Sequence, residues 1–330
     1  MKAIYFCENR ADWERVYCPA VKKSLAKEFS IDDILYGKAD LGKTDFSQIE
    51  ILFSTWGIAT LSEDEIAKYF PSLKGVFYAA GSVQAFARQY LNKGVRVFSA
   101  WKANAVPVVE YAVAQIVLAN KGFYQTAQRT KAGYQAGAEF FRNYKGNYDA
   151  KVGILGDGAI GAEVIKQLKE MHLDIYVYSI TMTKEQAKSL GVKLASLDEI
   201  FEECDVISNH LANNERTQKI INRALLFKLK DYSTFINTGR GAQVDEGALI
   251  EILQNNPTIT AVLDVTYPEP PEEGSLLYVL PNVILTPHIA GSAGLEVRRM
   301  AEYMLDESMR FKNGESCLYE VTLEMLKTMA

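Results

Sequence analysis

The chain has 330 residues, of which 48% are hydrophobic, and a formal net charge of -5 at pH 7. This composition is typical of a globular protein, and the length favours two domains because a single hydrophobic core rarely grows beyond about 250 to 300 residues. Lysines and acids are interspersed along the chain, which argues against a nucleic-acid or membrane-surface partner and favours a small molecule.

The first residues and the cysteines indicate the cellular setting. Charged residues come too early for a signal peptide, and the longest apolar run, 106–119, is shorter than the ~20 residues that span a bilayer. We therefore expect a cytoplasmic protein. The four cysteines lack the spacing of a metal site, so we expect packing roles for them and no bound metal.

Short apolar runs alternate with helix-like segments through the first hundred residues. This alternation predicts βαβ units and a parallel sheet. Pro107 is expected in the first turn of a long helix that ends before Gly122 and is apolar on nearly every side. Such a helix must be buried, either in the core or in a dimer interface, and it indicates a homodimer. Residues 122–149 are rich in glycine, tyrosine and polar residues, and they predict irregular structure.

The second half of the chain has a clearer pattern, beginning at Lys151. An apolar strand at 152–155 is followed by the glycines of GDGAIG and by a helix at 160–171, the arrangement that cradles a dinucleotide pyrophosphate. A capping box at 196–199 predicts the start of another helix. Further strands are predicted at 174–179, 205–209, 234–237, 260–264 and 283–286.

Three polar residues follow the last three predicted strands: Arg240, Glu269 and His288. In open parallel sheets ligands bind beyond the carboxyl ends of the strands, so these positions predict one site. A guanidinium, a carboxylate and an imidazole downstream of a nucleotide loop indicate hydride transfer. The alternatives are a loop-bridging arginine, a solvated loop acid and a structural histidine.

Four motifs in order carry a resemblance: GDGAIG, NTGRGAQVDEGALIEIL, LDVTYPEP and NVILTPHIAG. With them the chain resembles the D-isomer-specific 2-hydroxyacid dehydrogenases, which use NAD or NADP. The resemblance implies an α/β fold of two Rossmann-like or flavodoxin-like domains with parallel sheets, the nucleotide domain being inserted into the substrate domain. We expect a substrate (catalytic) domain at 1–103 plus 294–330 and an NAD(P)-binding Rossmann domain at 104–293.

The resemblance also implies a role for each polar residue. His288 would donate a proton to the carbonyl oxygen of a small 2-keto acid, and accept it back from a D-2-hydroxy acid in the reverse direction. Glu269 would favour the imidazolium and fix its tautomer, while Arg240 would bind the substrate carboxylate through its planar fork. Further substrate contacts are expected from Trp56, which fits the core equally well, and from Gly81 and Ser82.

Cofactor contacts are expected from the glycine loop and from the segments that follow the strands. They are Gly156, Gly158, Ala159, Ile160, Gly161, Ser179, His210, Asn214, Thr217, Thr238, Gly239, Asp264 and Gly291. Asp264 resembles the acid that binds the nicotinamide carboxamide, its alternative role being to cap a turn. Ser179 stands where an acid normally binds the ribose of NAD, so that both NAD and NADP stay open and we expect dual use.

Two other functions compete with the 2-keto acid reductase. An NAD(H)-sensing, corepressor-like regulatory protein would keep the same three polar residues. A phosphite-type dehydrogenase on the same scaffold also stays open, whereas Glu269 argues against a formate enzyme. The enzyme that acts on a 2-hydroxy acid is favoured, and which acid it uses is left open.

Overall fold

The structure is a computed structural model, and it describes residues 1–327. The chain divides into two compact units, one formed by Met1–Val106 with Ser292–Ala330 and the other by Pro107–Gly291. The second unit is thus inserted into the sequence of the first. The crossings expected from the sequence, at 103/104 and 293/294, differ from these by a few residues. Within residues 1–327, every helix is too short or too polar to cross a membrane.

Strands and helices alternate along most of the chain. The strands are β1 (Ala3–Phe6), β2 (Leu35–Tyr36), β3 (Ile51–Ser54), β4 (Gly75–Tyr78), β5 (Arg96–Ser99), β6 (Ala150–Leu155), β7 (Leu173–Tyr178), β8 (Lys193–Leu194), β9 (Val206–Asn209), β10 (Thr234–Asn237), β11 (Thr260–Leu263), β12 (Val283–Leu285) and β13 (Glu320–Val321). The helices are α1 (Arg10–Val16), α2 (Pro19–Glu28), α3 (Glu63–Tyr69), α4 (Ala87–Asn92), α5 (Trp101–Asn120), α6 (Phe123–Thr130), α7 (Tyr134–Phe141), α8 (Ala159–Leu168), α9 (Lys184–Leu190), α10 (Leu197–Glu203), α11 (Arg223–Leu226), α12 (Glu246–Asn255) and α13 (Val297–Asn313).

The first unit contains a six-stranded sheet in the order β13-β5-β4-β3-β1-β2. Its strands are parallel except β13, which pairs antiparallel with β5. Every residue of β1, β3 and β4 is buried, as expected where both faces of a parallel sheet are covered. Helix α13 returns to this unit and buries Met300 and Met304 in its core.

The second unit contains a seven-stranded, fully parallel sheet in the order β12-β11-β10-β9-β6-β7-β8. From β6 the chain winds first toward β8 and then, from β9 onward, in the opposite direction. The change of direction between β6 and β9 opens a crevice at the carboxyl ends of the strands, where doubly wound folds bind ligands. The α/β fold with parallel sheets is therefore confirmed.

Helix α5 differs from its prediction. It begins at Trp101, and Pro107 lies inside the helix instead of in its first turn. A proline inside a helix costs about 3 kcal/mol, because its ring removes a hydrogen bond and clashes with the preceding turn. Burial on both sides of the proline offsets this cost, since Ala103 belongs to the core of the first unit and Val109 and Ala112 to that of the second.

The prediction of irregular structure at 122–149 is wrong, because the segment contains α6 and α7. Polar and aromatic side chains hold these helices against the rest of the second unit. Gln125 is buried and donates to Thr260 Oγ1 at 2.8 Å, and Phe140 and Tyr144 each pack against Tyr232. Helix α10 begins as predicted after Ser196, although its capping box is incomplete because Glu199 pairs with Lys193.

Candidate functional site

A tight glycine turn joins β6 to α8. Gly156 has a φ of +93°, a conformation that favours glycine. A Cβ atom on Gly161 would lie 1.9 Å from the carbonyl oxygen of Gly156, so only glycine lets α8 approach the strand this closely. A Cβ on Gly158 would meet nothing within 4 Å, which leaves this part of the turn open. The first N–H groups of α8, at Ala159 and Ile160, lack intrahelical acceptors and suit a pyrophosphate.

Buried side-chain amides hold the loop that follows β10. Gln243 Oε1 accepts hydrogen bonds from Asn209 Nδ2 at 2.8 Å and from the backbone N–H of Arg240 at 3.1 Å. Asn237 Oδ1 accepts from Asn209 Nδ2 at 2.9 Å and from the N–H of Gly239 at 3.0 Å. A Cβ on Gly239 would lie 2.8 Å from Gln243 Oε1. The network therefore requires glycine at this position, and it fixes the backbone that carries Arg240.

The Arg240 side chain is partly buried. Its Nη1 donates to the carbonyl oxygen of Gly239 at 2.7 Å, and within residues 1–327 it forms no ion pair. Burial lowers the pKa of Arg240, and the negative charge of Glu269 opposes that shift. A desolvated cation with unused N–H groups is well suited to bind an anion.

His288 and Glu269 form a pair, with His288 Nδ1 2.6 Å from Glu269 Oε1. Their side chains are 45% and 42% exposed, so the pair is open to a small ligand. With Nδ1–H donated to the carboxylate, Nε2 is the nitrogen left for exchange of a proton, and it has no partner among residues 1–327. Because Glu269 acts on both His288 and Arg240, the three predicted catalytic side chains come together.

Asp264 organises the turn that carries His288. Its Oδ1 accepts from Thr286 Oγ1 at 2.7 Å and from the N–H of Ile289 at 2.8 Å, while its Oδ2 accepts from the N–H of Ala290 at 2.9 Å. The residue is buried, and its carbonyl oxygen also accepts from the N–H of His288. These contacts correspond to the turn-capping alternative, and they leave one acceptor position on Oδ2 for a carboxamide.

The loop after β9 lies beside the glycine turn. His210 is buried, with Nε2 2.9 Å from Ser208 Oγ and Nδ1 3.5 Å from Thr238 Oγ1. Burial lowers the pKa of His210 to about 4, so the ring is neutral near pH 7. Its carbonyl oxygen would lie 3.0 Å from a Cβ on Gly156. His210 therefore packs against the glycine turn as an uncharged residue.

Asn214 and Thr217 close this same loop on itself. The N–H of Asn214 donates to Thr217 Oγ1 at 3.0 Å, and that hydroxyl donates to the carbonyl oxygen of Ala212 at 2.7 Å. Gly291 is the last residue of the second unit. Cofactor contacts from these residues stay predictions.

At the end of β7, the Ser179 hydroxyl donates to Asp157 Oδ1 at 2.6 Å. Asp157 is the second residue of GDGAIG, and the two segments meet because Leu155 and Tyr178 are register partners in β6 and β7. The carboxylate of Asp157 therefore lies at the end of β7, next to position 179, where the sequence has a serine instead of an acid.

The predicted substrate residues of the first unit follow β3 and β4, two adjacent parallel strands. Trp56 is partly buried, with the guanidinium of Arg15 5.4 Å from its ring centroid. The carbonyl oxygen of Gly81 accepts from Ser99 Oγ at 2.6 Å, and Ser82 is exposed. They share one sheet edge, and their substrate contacts stay predictions.

The comparisons with known proteins decide the family. The family model described as D-isomer specific 2-hydroxyacid dehydrogenase, NAD binding domain, matches residues 113–290, more than half of the chain. The chain belongs to this dehydrogenase family. A D-3-phosphoglycerate dehydrogenase of Archaeoglobus fulgidus is 32% identical over 201 residues, which is 61% of this chain and 38% of that protein. A glyoxylate reductase of Pyrococcus furiosus is 32% identical over 217 residues, 66% of this chain and 64% of that protein.

The dehydrogenase fold extends over nearly the whole chain. The apo D-mandelate dehydrogenase of Rhodotorula graminis superposes with a TM-score of 0.82 at 19% identity, covering 97% of each chain. The chain spans 38%, 50% and 41% of the first three curated relatives, all D-3-phosphoglycerate dehydrogenases.

Within residues 1–327, no group of three or more histidines, cysteines or acids is arranged to hold a metal ion.

Four residues that support the candidate site are missing from the sequence prediction: Asp157, Asn209, Asn237 and Gln243. A signal exists for the two asparagines, since each is the last residue of a short strand in which two of the other three residues are apolar. Gln243 and Asp157 gave no comparable signal, because their partners lie 34 and 22 residues away in sequence.

Proposed function

We propose that this chain is an NAD(P)-dependent oxidoreductase that interconverts a small 2-keto acid and a D-2-hydroxy acid. The observation that carries the proposal is the pairing of His288 with Glu269, whose charge also acts on the partly buried, positively charged Arg240. A site with one anion-binding cation and one accessible proton donor fits a substrate that has a carboxylate next to a carbonyl group.

Each side chain has a separate task in this proposal. Arg240 binds and orients the substrate carboxylate through two parallel N–H groups. His288, protonated and held by Glu269, donates a proton from Nε2 to the carbonyl oxygen, and in the reverse direction neutral Nε2 accepts the hydroxyl proton. A bound nicotinamide supplies the hydride chemistry.

The glycine turn fits a dinucleotide in this scheme. Gly158 leaves the turn open and Gly161 brings α8 close to the strand, so that the first N–H groups of α8 and its dipole can bind the pyrophosphate. Asp264 keeps one acceptor position for the nicotinamide carboxamide. The remaining predicted cofactor residues lie on the loops that follow β7, β9, β10 and β12.

The experiment is a panel of small 2-keto acids, with phosphite in the oxidative direction, assayed with both nicotinamide cofactors. We expect His288→Gln to lower kcat/KM about 10²- to 10⁴-fold, which is the usual contribution of a positioned proton donor. His172→Gln is the matched control. His172 is exposed and paired with Asp149, and both are distant in sequence from the three proposed catalytic residues. Equal turnover by His288→Gln and wild type would refute the proton-donor role.

A second variant tests the binding of the substrate carboxylate by Arg240 separately from the proton transfer by His288. Arg240→Lys keeps the positive charge but removes the bidentate fork, so KM should rise more than kcat falls. Unchanged kinetics would refute bidentate binding of the substrate carboxylate by Arg240. Tight binding of nucleotide without turnover of any substrate would instead favour the nucleotide-sensing alternative, and turnover of phosphite alone would favour the phosphite enzyme.

We also propose a cytoplasmic homodimer. Exposed aromatic side chains on α6 and α7 support a partner surface, with Phe123 50%, Tyr134 83% and Phe141 43% exposed. Sedimentation velocity should give a dimer at micromolar concentration for wild type and a shift toward monomer for Tyr134→Glu. A wild-type monomer would contradict the proposal, and cell fractionation tests the location.

A further inference from the structure

Asp157 has a position that the proposed chemistry does not explain. It lies between two glycines of the turn after β6, yet its carboxylate points to the end of the neighbouring strand β7. Its Oδ1 accepts from Ser179 Oγ at 2.6 Å, and Thr181 Oγ1 lies 3.2 and 3.3 Å from its two oxygens. In dinucleotide-binding folds, the end of this second strand is where an acid meets the adenosine ribose.

The hydroxyl of Ser179 is fully used by these contacts. It donates to Asp157 and accepts from the backbone N–H groups of Thr181 at 3.0 Å and Met182 at 2.8 Å. A hydroxyl offers one donor and two acceptor positions, so none remains for a phosphate. The serine that suggested tolerance of a 2'-phosphate therefore holds a carboxylate in place.

The charge of Asp157 is not neutralised by a neighbour. Within residues 1–327, Asp157 forms no ion pair with a lysine or arginine. A 2'-phosphate brought to the end of β7 would add close to two negative charges beside this unpaired carboxylate. Ribose hydroxyls, in contrast, would find an acceptor that is already oriented.

We propose that Asp157 makes this chain selective for NAD over NADP, acting from the glycine turn in place of an acid at position 179. This inference rests on the nucleotide site of the proposed function, and it replaces the dual use expected from the sequence. Ser179 and Thr181 act as positioning residues that orient the carboxylate.

The test is equilibrium binding, which requires no substrate and no turnover. Dissociation constants of NADH and NADPH are measured by nicotinamide fluorescence, and those of 5'-AMP and 2',5'-ADP by calorimetry, on the full chain. For wild type we expect NADPH to bind about a hundredfold more weakly than NADH, because the phosphate meets an unpaired charge.

Asp157→Asn removes the charge while its side-chain oxygen can still accept from Ser179. We expect this variant to bind NADPH and 2',5'-ADP about ten- to a hundredfold more tightly than wild type, with NADH and 5'-AMP changed by less than about fivefold. Asp174→Asn is the matched control, because it removes one exposed acid from the opposite end of the same strand, β7. This control should leave all four constants unchanged.

The outcomes separate the two proposals. Wild type that binds NADPH within about threefold of NADH, or an Asp157→Asn variant with an unchanged ratio, overturns the role of Asp157. If no nucleotide binds to wild type or to either variant, the nucleotide site of the proposed function itself fails.

Discussion

The buried imidazole of His210 makes the stability of the chain depend on pH in a defined window. Burial lowers the pKa of His210 to about 4, whereas a histidine in an unfolded chain titrates near 6.5. Between these values the unfolded state binds a proton that the native state does not, so the free energy of unfolding falls as the pH falls. The shift predicts a loss of about 2 kcal/mol between pH 7 and pH 5, and about 3 kcal/mol by pH 4.

Urea denaturation at pH 7, 6 and 5, followed by circular dichroism, measures this loss. Circular dichroism is needed because the three tryptophans lie in the first unit, whereas His210 lies in the second. The window stops at pH 5 because carboxylates begin to titrate below it. His210→Gln cannot titrate, so its stability should depend less on pH by about 2 kcal/mol over this range, whatever its stability at pH 7.

His172→Gln and His288→Gln serve as controls, because each removes an exposed histidine ring, whereas His210→Gln removes a buried one. The chain has only these three histidines, so ¹⁵N spectra of the imidazoles can be assigned by substitution. An imidazole of His210 that protonates above pH 6 would refute the argument. So would a His210→Gln variant that keeps the full wild-type pH dependence.

Two further predictions concern close contacts. Gly241→Ala should lower the free energy of unfolding by about 3 kcal/mol or prevent folding, because its Cβ would lie 1.9 Å from the carbonyl carbon of Thr266. Gly247→Ala, at an exposed position of α12, should instead raise the free energy of unfolding by about 0.5 to 1 kcal/mol. Thermal melts of the two variants measure the difference. Similar melting temperatures for Gly241→Ala and Gly247→Ala would contradict the close contact at Gly241. Glu307→Ala should cost about 2 to 5 kcal/mol in urea denaturation followed by tryptophan fluorescence, because two backbone N–H groups at 2.6 and 2.7 Å lose their acceptor. Asp306→Ala, which changes the exposed neighbouring residue on α13, is the control. Equal decreases in the free energy of unfolding for the two variants would show that the buried hydrogen bonds of Glu307 do not stabilise the fold.

The sequence predicted the parts of the site that depend on strand ends. Arg240 and His288 each follow a short apolar run, and parallel strands bring such positions to one edge of the sheet. The contact between Asp157 and Ser179 could not be predicted in this way, because it depends on the register of β6 against β7. Helix α6 could have been predicted, because its polar and apolar residues separate onto two faces with a helical period, although its anchor is the buried amide of Gln125.

The order of segments in the chain also constrains how the protein folds during synthesis. The second unit is one continuous segment, Pro107–Gly291, so it can fold as soon as it has left the ribosome. The first unit cannot complete its folding this early, because Met300 and Met304 of α13 fill its core and β13 forms the edge of its sheet. Its apolar surface therefore stays uncovered while nearly two hundred further residues are translated, and this interval is when we expect the nascent chain to depend most on chaperones.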